Sequence, residues 1–94
     1  MSAYMLVEIM IKDPAPYEEY MDRIPAVIAA KGGRYVVRSS RVTPVAGGWS
    51  PDRIIMMEFD DMDALRACFG SDEYKQLATL REAGTVTRSV VIEP

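Results

Sequence analysis

The chain has no histidine and a single cysteine, Cys68, in 94 residues. The first absence removes histidine-assisted serine and cysteine nucleophiles, histidine-ligated zinc and a proximal haem histidine together. The second excludes an internal disulfide and a multi-thiol metal site, which fits a reducing compartment. An excess of basic residues is missing too: 11 Lys and Arg against 14 Asp and Glu leave a net charge of −3. Phosphate-backbone binding wants clustered cations, so no nucleic-acid partner is expected. No apolar run nears the roughly 20 residues that span a bilayer. The opening MSAYMLVEIM has neither the basic start nor the long apolar core of a secretion signal. The expectation is a cytoplasmic protein with no membrane partner. Acid–base work would fall to Glu, Asp, Tyr or Lys, and nothing in the residue pattern asks for a metal or a cofactor.

What is present suits one domain, residues 1–94, near the usual domain size of about 100–150 residues. Hydrophobic residues at 49% and charged residues at 27% argue against disorder. A chain this short buries only about 60–70% of the surface its unfolded form exposes, so association that covers more apolar surface would help it.

Residues 3–11, AYMLVEIMI, alternate as a strand with one wholly apolar face: Met5, Val7, Ile9 and Ile11. Asp13 and Pro14 then form an N-cap and first helical position. Tyr17, Tyr20, Met21, Ile24, Val27 and Ile28 recur at helical spacing. Pro25 predicts a kink or break near Ile24, and Gly32-Gly33 stop the helix. A second strand is predicted from Gly33 to about residue 45, a third over 53–59, and helices capped by Asp60 or Asp61 and by Ser71. The latter helix closes at Gly84, and a last strand covers 86–93. The order β-α-β-β-α-β is the ferredoxin-like arrangement, an α+β fold with both helical segments on one face of a four-stranded antiparallel sheet.

Alternation assigns the other face. Tyr4, Leu6, Glu8 and Met10 fall there from the first strand, Arg34, Val36 and Arg38 from the second, and Ile54, Met56 and Glu58 from the third. Tyr35 and Val37, and on the last strand Val90 and Ile92, are expected to pack under the helices, leaving Ser89 and Val91 outward. A solvated face would be polar. This one is mostly apolar, and the simplest cover is the same face of a second copy.

The segments PAPYEEY, GGRYVVR, GGWSPDRIIMMEF and SDEYKQLATLR resemble, in order and over nearly the whole chain, the family known as domain of unknown function 1330 (DUF1330), within the dimeric α+β-barrel superfamily. The resemblance implies a homodimer in which two ferredoxin-like sheets pair face to face and enclose a pocket in each half. Relatives in that superfamily include cofactor-free monooxygenases, isomerases of lactone-type substrates and haem-dependent enzymes. The chain departs from the family pattern at Ala46, where an acidic residue is usual, and at Cys68, where an aromatic is often seen.

The candidate site follows from the uncovered face. Arg38, and with it Arg34, should point between the sheets alongside Glu58 and Glu8. Arg38 and Glu58 are either a satisfied structural ion pair or a working pair, with Arg38 anchoring a carboxylate or enolate and Glu58 acting as base. Tyr20 is the third catalytic candidate. Tyr74 and Arg81 share a helical face and complete a possible ligand set, and Trp49 should pack at the dimer contact or rim the pocket mouth. The leading expectation is an inter-sheet pocket for a small, partly apolar, anionic organic ligand. The alternative is a cofactor-independent monooxygenase or isomerase, and the third is an interaction module with a filled interior. The residues alone leave open whether the protein is an enzyme.

Overall fold

Capping and breaking residues set the order of elements. In the computed structural model, which describes residues 2–94, strand β1 (Ala3–Ile11) leads into helix α1 (Pro14–Ala30). Strands β2 (Arg34–Ser39) and β3 (Arg53–Phe59) follow. Helices α2 (Met62–Phe69), α3 (Asp72–Gln76) and α4 (Ala78–Gly84) then return the chain to strand β4 (Thr85–Ile92). The Asp13 carboxylate accepts from the Ala15 amide at the start of α1, ahead of Pro14. Asp61 caps α2 and Ser71 caps α3 in the same way. Gly32, at φ 82°, ends α1 in the left-handed region.

Three boundaries differ from expectation. β2 stops at Ser39 rather than near residue 45, because the Ser39 hydroxyl takes the Arg41 amide at 2.9 Å and diverts the backbone from the ladder. The helix expected to close at Gly84 is broken at Leu77 into α3 and α4. Of the kink or break expected near Ile24, the break does not occur, and helix α1 runs on through Pro25.

The strands pair antiparallel in the order β2-β3-β1-β4, the ferredoxin-like α+β arrangement, with the helices on one face. The core joins Ala3, Ile9, Ile55, Met57 and Phe59 of the sheet to Tyr20, Met21, Ile24 and Ile28 of α1. Phe59 and Ile28 are fully buried, each worth about 1.5–3 kcal/mol of transfer free energy. They press so closely on Gly33 that a Cβ there would lie 2.6 Å from Ile28 Cγ2. At the other end of α1 the Gly84 carbonyl accepts from the amides of Lys12 (2.8 Å) and Asp13 (3.1 Å), tying the end of α4 to the start of α1. The result is a slab of 33 × 31 × 16 Å with one sheet face uncovered. Among the described residues no helix is long and apolar enough to cross a membrane.

Candidate functional site: a cavity between helices and sheet

Strands β1 and β3 alternate as expected, with Ile55, Met57 and Phe59 buried under the helices. Strand β2 does not. Arg34 stands opposite Glu58 and Tyr35 opposite Met57, but a bulge at Val36 shifts the register, so that Val37 faces Met56 and Arg38 faces Ile55. An extra residue in one strand reverses every later side chain. The expected Arg38–Glu58 pair is therefore corrected: the two lie on opposite faces of the sheet. Arg38 turns to the helix side, donates from Nη2 to the Met21 carbonyl at 3.3 Å, and lies 5.0 Å from the Tyr35 ring centroid. That carbonyl would ordinarily accept from the amide four residues on, which Pro25 lacks. Val37, expected under the helices, turns outward.

The last strand is also reversed. Arg88 stands opposite Glu8, Val90 opposite Leu6 and Ile92 opposite Tyr4, all on the uncovered face. Val91, Ser89 and Thr87 face the helices instead. Ser89 and Thr87 are tolerated there because they line a cavity rather than packed core.

The charges of the uncovered face are satisfied in separate groups. Glu58 accepts from the Tyr4 hydroxyl at 3.2 Å and pairs with Arg34 at 3.3 Å, and Arg34 also reaches Asp60 at 3.2 Å. A hydrogen bond from Ser2 foremost, then those from Tyr4 and Arg34, hold the Glu58 carboxyl below its ordinary range. Glu8, only 8% exposed, accepts from Arg88 Nε at 2.7 Å and Nη2 at 3.1 Å, and from the Trp49 indole. Its pKa is lowered by the Arg88 bonds first and the Trp49 bond second, against the opposing effect of burial. Glu58 stands opposite Tyr4, four residues along β1 from Glu8, about 13 Å at the rise of a strand. The two carboxylates do not form one site. Trp49 lies half-exposed on this face, fastened to Glu8 from the long loop between β2 and β3.

The enclosed space lies elsewhere. Between the helix layer and the sheet is a cavity of about 260 Å³ whose walls include Met5, Val7, Met21, Ile24, Tyr35 and Met57. The expected inter-sheet space would be closed only by a second copy, whereas this cavity is formed within the single chain. Its polar side is Tyr20, Tyr74 and Arg81, with Thr87 and Ser89 from β4. Tyr74 accepts from Arg81 Nη1, and the guanidinium lies 5.5 Å from the Tyr74 ring centroid. Phe69 holds that ring edge-on at 4.9 Å. Burial above all, and then the neighbouring Tyr74, push the Tyr20 hydroxyl well above its ordinary pKa, with Arg81 opposing. At neutral pH Tyr20 is a hydrogen-bond donor, not a phenolate. Cys68 is buried and its thiol is raised by burial, which suits an inert packing role.

Of the residues expected to form a site, the structure gathers Tyr20, Tyr74 and Arg81 around one cavity. It leaves Glu8, Glu58, Arg34 and Trp49 on the far face of the sheet, and it sets Arg38 beside the cavity wall. Arg88, Thr87, Ser89 and Arg53 escaped sequence reasoning. Arg88 had a signal: it is the one charged residue of its strand, while Glu8 lacked an assigned partner.

Known structures share this architecture. A protein of unknown function from Rhodopseudomonas palustris superposes with a TM-score of 0.84 at 16% identity, over 99% of this chain and 82% of that one. SnoaB, a cofactor-independent oxygenase from Streptomyces nogalater, gives 0.70 at 17% identity over 99% and 92%. A dimeric ferredoxin-like protein of unknown function from Thermobifida fusca gives 0.72 at 15% over 98% and 90%. At such identities the likeness is one of fold. No curated protein matches the sequence. The family model described as domain of unknown function (DUF1330) matches residues 2–94, and the chain belongs to that family.

Proposed function

We propose that this single domain is a cytoplasmic binding protein that takes a small, partly apolar organic molecule into the cavity between helices and sheet. The observation that carries the reading is the cavity itself. About 260 Å³ of space has aliphatic and methionine walls, and a few polar groups converge on it: the Tyr20 hydroxyl and the Tyr74–Arg81 pair. That combination is the usual composition of a small-molecule site, and it favours binding over an interaction module with a filled interior. An oxygen of the ligand would accept from Tyr20 and from Arg81. The test is direct binding of 2-naphthol, an apolar body with one hydroxyl. We expect saturable binding and a raised melting temperature, both lost in Val7→Phe, which fills the cavity. Unchanged binding by that variant would refute the location.

The same reading includes a homodimer. Val86, Val90 and Val36 are each more than half exposed, and Ile92, Val37 and Met10 nearly so, on a face without helices. That is an unusual concentration of apolar surface for a monomer, and the fold neighbour from Thermobifida fusca is described as dimeric. Two-fold pairing of the uncovered faces would bury it.

The enzymatic alternative, a cofactor-independent monooxygenase or isomerase, draws on the fold likeness to SnoaB and on the hydroxyls of Tyr20, Tyr74, Thr87 and Ser89 around the cavity. Glu58 cannot act as its base, since it lies across the sheet. Tyr20 would serve as proton donor in such chemistry, and Tyr20→Phe would abolish turnover while weakening binding only by the loss of one hydrogen bond, about 1 kcal/mol.

A further inference from the structure

We propose that Arg38 and Arg53, at the β2 side of the cavity, form an anion subsite, so that the ligand carries a carboxylate or a similar planar oxyanion. This rests on the cavity being the binding site, and it names the chemical class that site would select. Arg53 stands opposite Ile9, and Arg38 opposite Ile55, so both occupy the helix side of adjacent strands. They are diagonal neighbours, about 7–8 Å apart at the backbone. Each adjoins the cavity wall: Ile9, Ile55, Tyr35 and Met21 all line it, and Arg38 touches the last two.

Arg23, Arg34, Arg81 and Arg88 all pair with carboxylates. Four arginines lack a carboxylate partner among the described residues; Arg41 and Arg66 are exposed, whereas Arg38 and Arg53 stand on the helix side of the sheet beside the cavity wall. Arg53 Nε is buried without a hydrogen-bond partner. A buried guanidinium donor left unpaired is costly, and two neighbouring cations repel each other until an anion sits between them. The guanidinium fork matches the two oxygens of a carboxylate. The uncovered sheet face, where a second copy would dock, is on the opposite side, so such a partner would not supply the missing anion. Nor is the subsite an extension of Arg81, which is already engaged with Tyr74 and Glu82.

The test compares 2-naphthoate with 2-naphthol, which share the apolar body and differ in the anionic group. Binding is measured by calorimetry at neutral pH and low salt on the wild-type protein, on Arg53→Met, and on the double variant Arg38→Met/Pro25→Ala. The last restores a backbone partner to the Met21 carbonyl, so loss of the Arg38 cap is not confused with loss of the anion site. We expect naphthoate to bind the wild type at least tenfold more tightly than naphthol. That preference should shrink to threefold or less in each variant, with naphthol affinity within twofold of wild type. If the wild type binds both alike, or the preference survives in both variants, the anion subsite is overturned while the cavity reading stands. If neither compound binds, the cavity reading falls and takes the subsite with it.

Discussion

Arg38 supplies the hydrogen bond that Pro25 withholds. Its Nη2 donates to the Met21 carbonyl at 3.3 Å, the acceptor whose helical partner would be the amide of residue 25. The link spans from the edge strand to α1, and it accounts for a helix that runs on through proline. Arg38→Met should therefore cost about 1 kcal/mol in the wild type and distinctly less in a Pro25→Ala background, where an amide is available. Urea unfolding of the four proteins gives the coupling directly. Equal costs in both backgrounds would show that Arg38 acts independently of the proline.

The uncovered face makes a second prediction. Met56 lies between Leu6 and Val37 on that face. Met56→Lys should convert a dimer at micromolar concentration into monomer or unfolded chain, since an unpaired charge would enter an apolar contact. Sedimentation of both proteins decides it, and a wild-type monomer would remove the dimer.

Acid should weaken the fold through Glu8 and Glu58. Both carboxyls are held below 4.5 in the folded chain, so the unfolded chain binds protons first. Their stabilisation is complete above about pH 4.5 and is lost as pH falls through the lowered folded values. Glu8→Gln should flatten the dependence of stability on pH below 4.5. Tyr20 acts with the opposite sense. Its pKa is raised on folding from 10.0, so stability should fall as pH rises above about 10, and Tyr20→Phe should lessen that fall.

The contact between α4 and α1 predicts a graded glycine series. A Cβ on Gly84 would collide with the backbone of Tyr17 and Pro16, whereas one on Gly33 would meet the side chains of Ile28 and Phe59. Side chains can shift and backbone cannot do so cheaply. Gly84→Ala should therefore cost more than Gly33→Ala, with both in the range of about 1–3 kcal/mol for overpacking, as measured by thermal or urea unfolding.

The element order, the caps at Asp13 and Ser71, and the faces of β1 and β3 were legible in the sequence, because each rests on local chemistry or unbroken alternation. The β2 bulge was not. Nothing in RYVVR marks which residue is the extra one, yet that residue decides where Arg38 points. β4 failed for a different reason. In VTRSVVI hydrophobicity points Val90 and Ile92 inward, but hydrophobicity identifies the inner face only when the other face meets water. Here the outer face is itself apolar, and the helix side of β4 lines a cavity. For the site, Tyr74 and Arg81 were legible as helical neighbours, whereas Arg53 becomes a candidate only once the strand pairing sets it beside Arg38.

The bulge at Val36 has one more effect. β2 is an outer strand of the sheet, and an outer strand offers its free amides and carbonyls as a template on which another chain can add. A template of six residues with a register shift in its middle is a poor one. The irregularity that turns Arg38 toward the helices thus also guards the chain, on this side, against open-ended strand addition and the fibrous assembly that would follow.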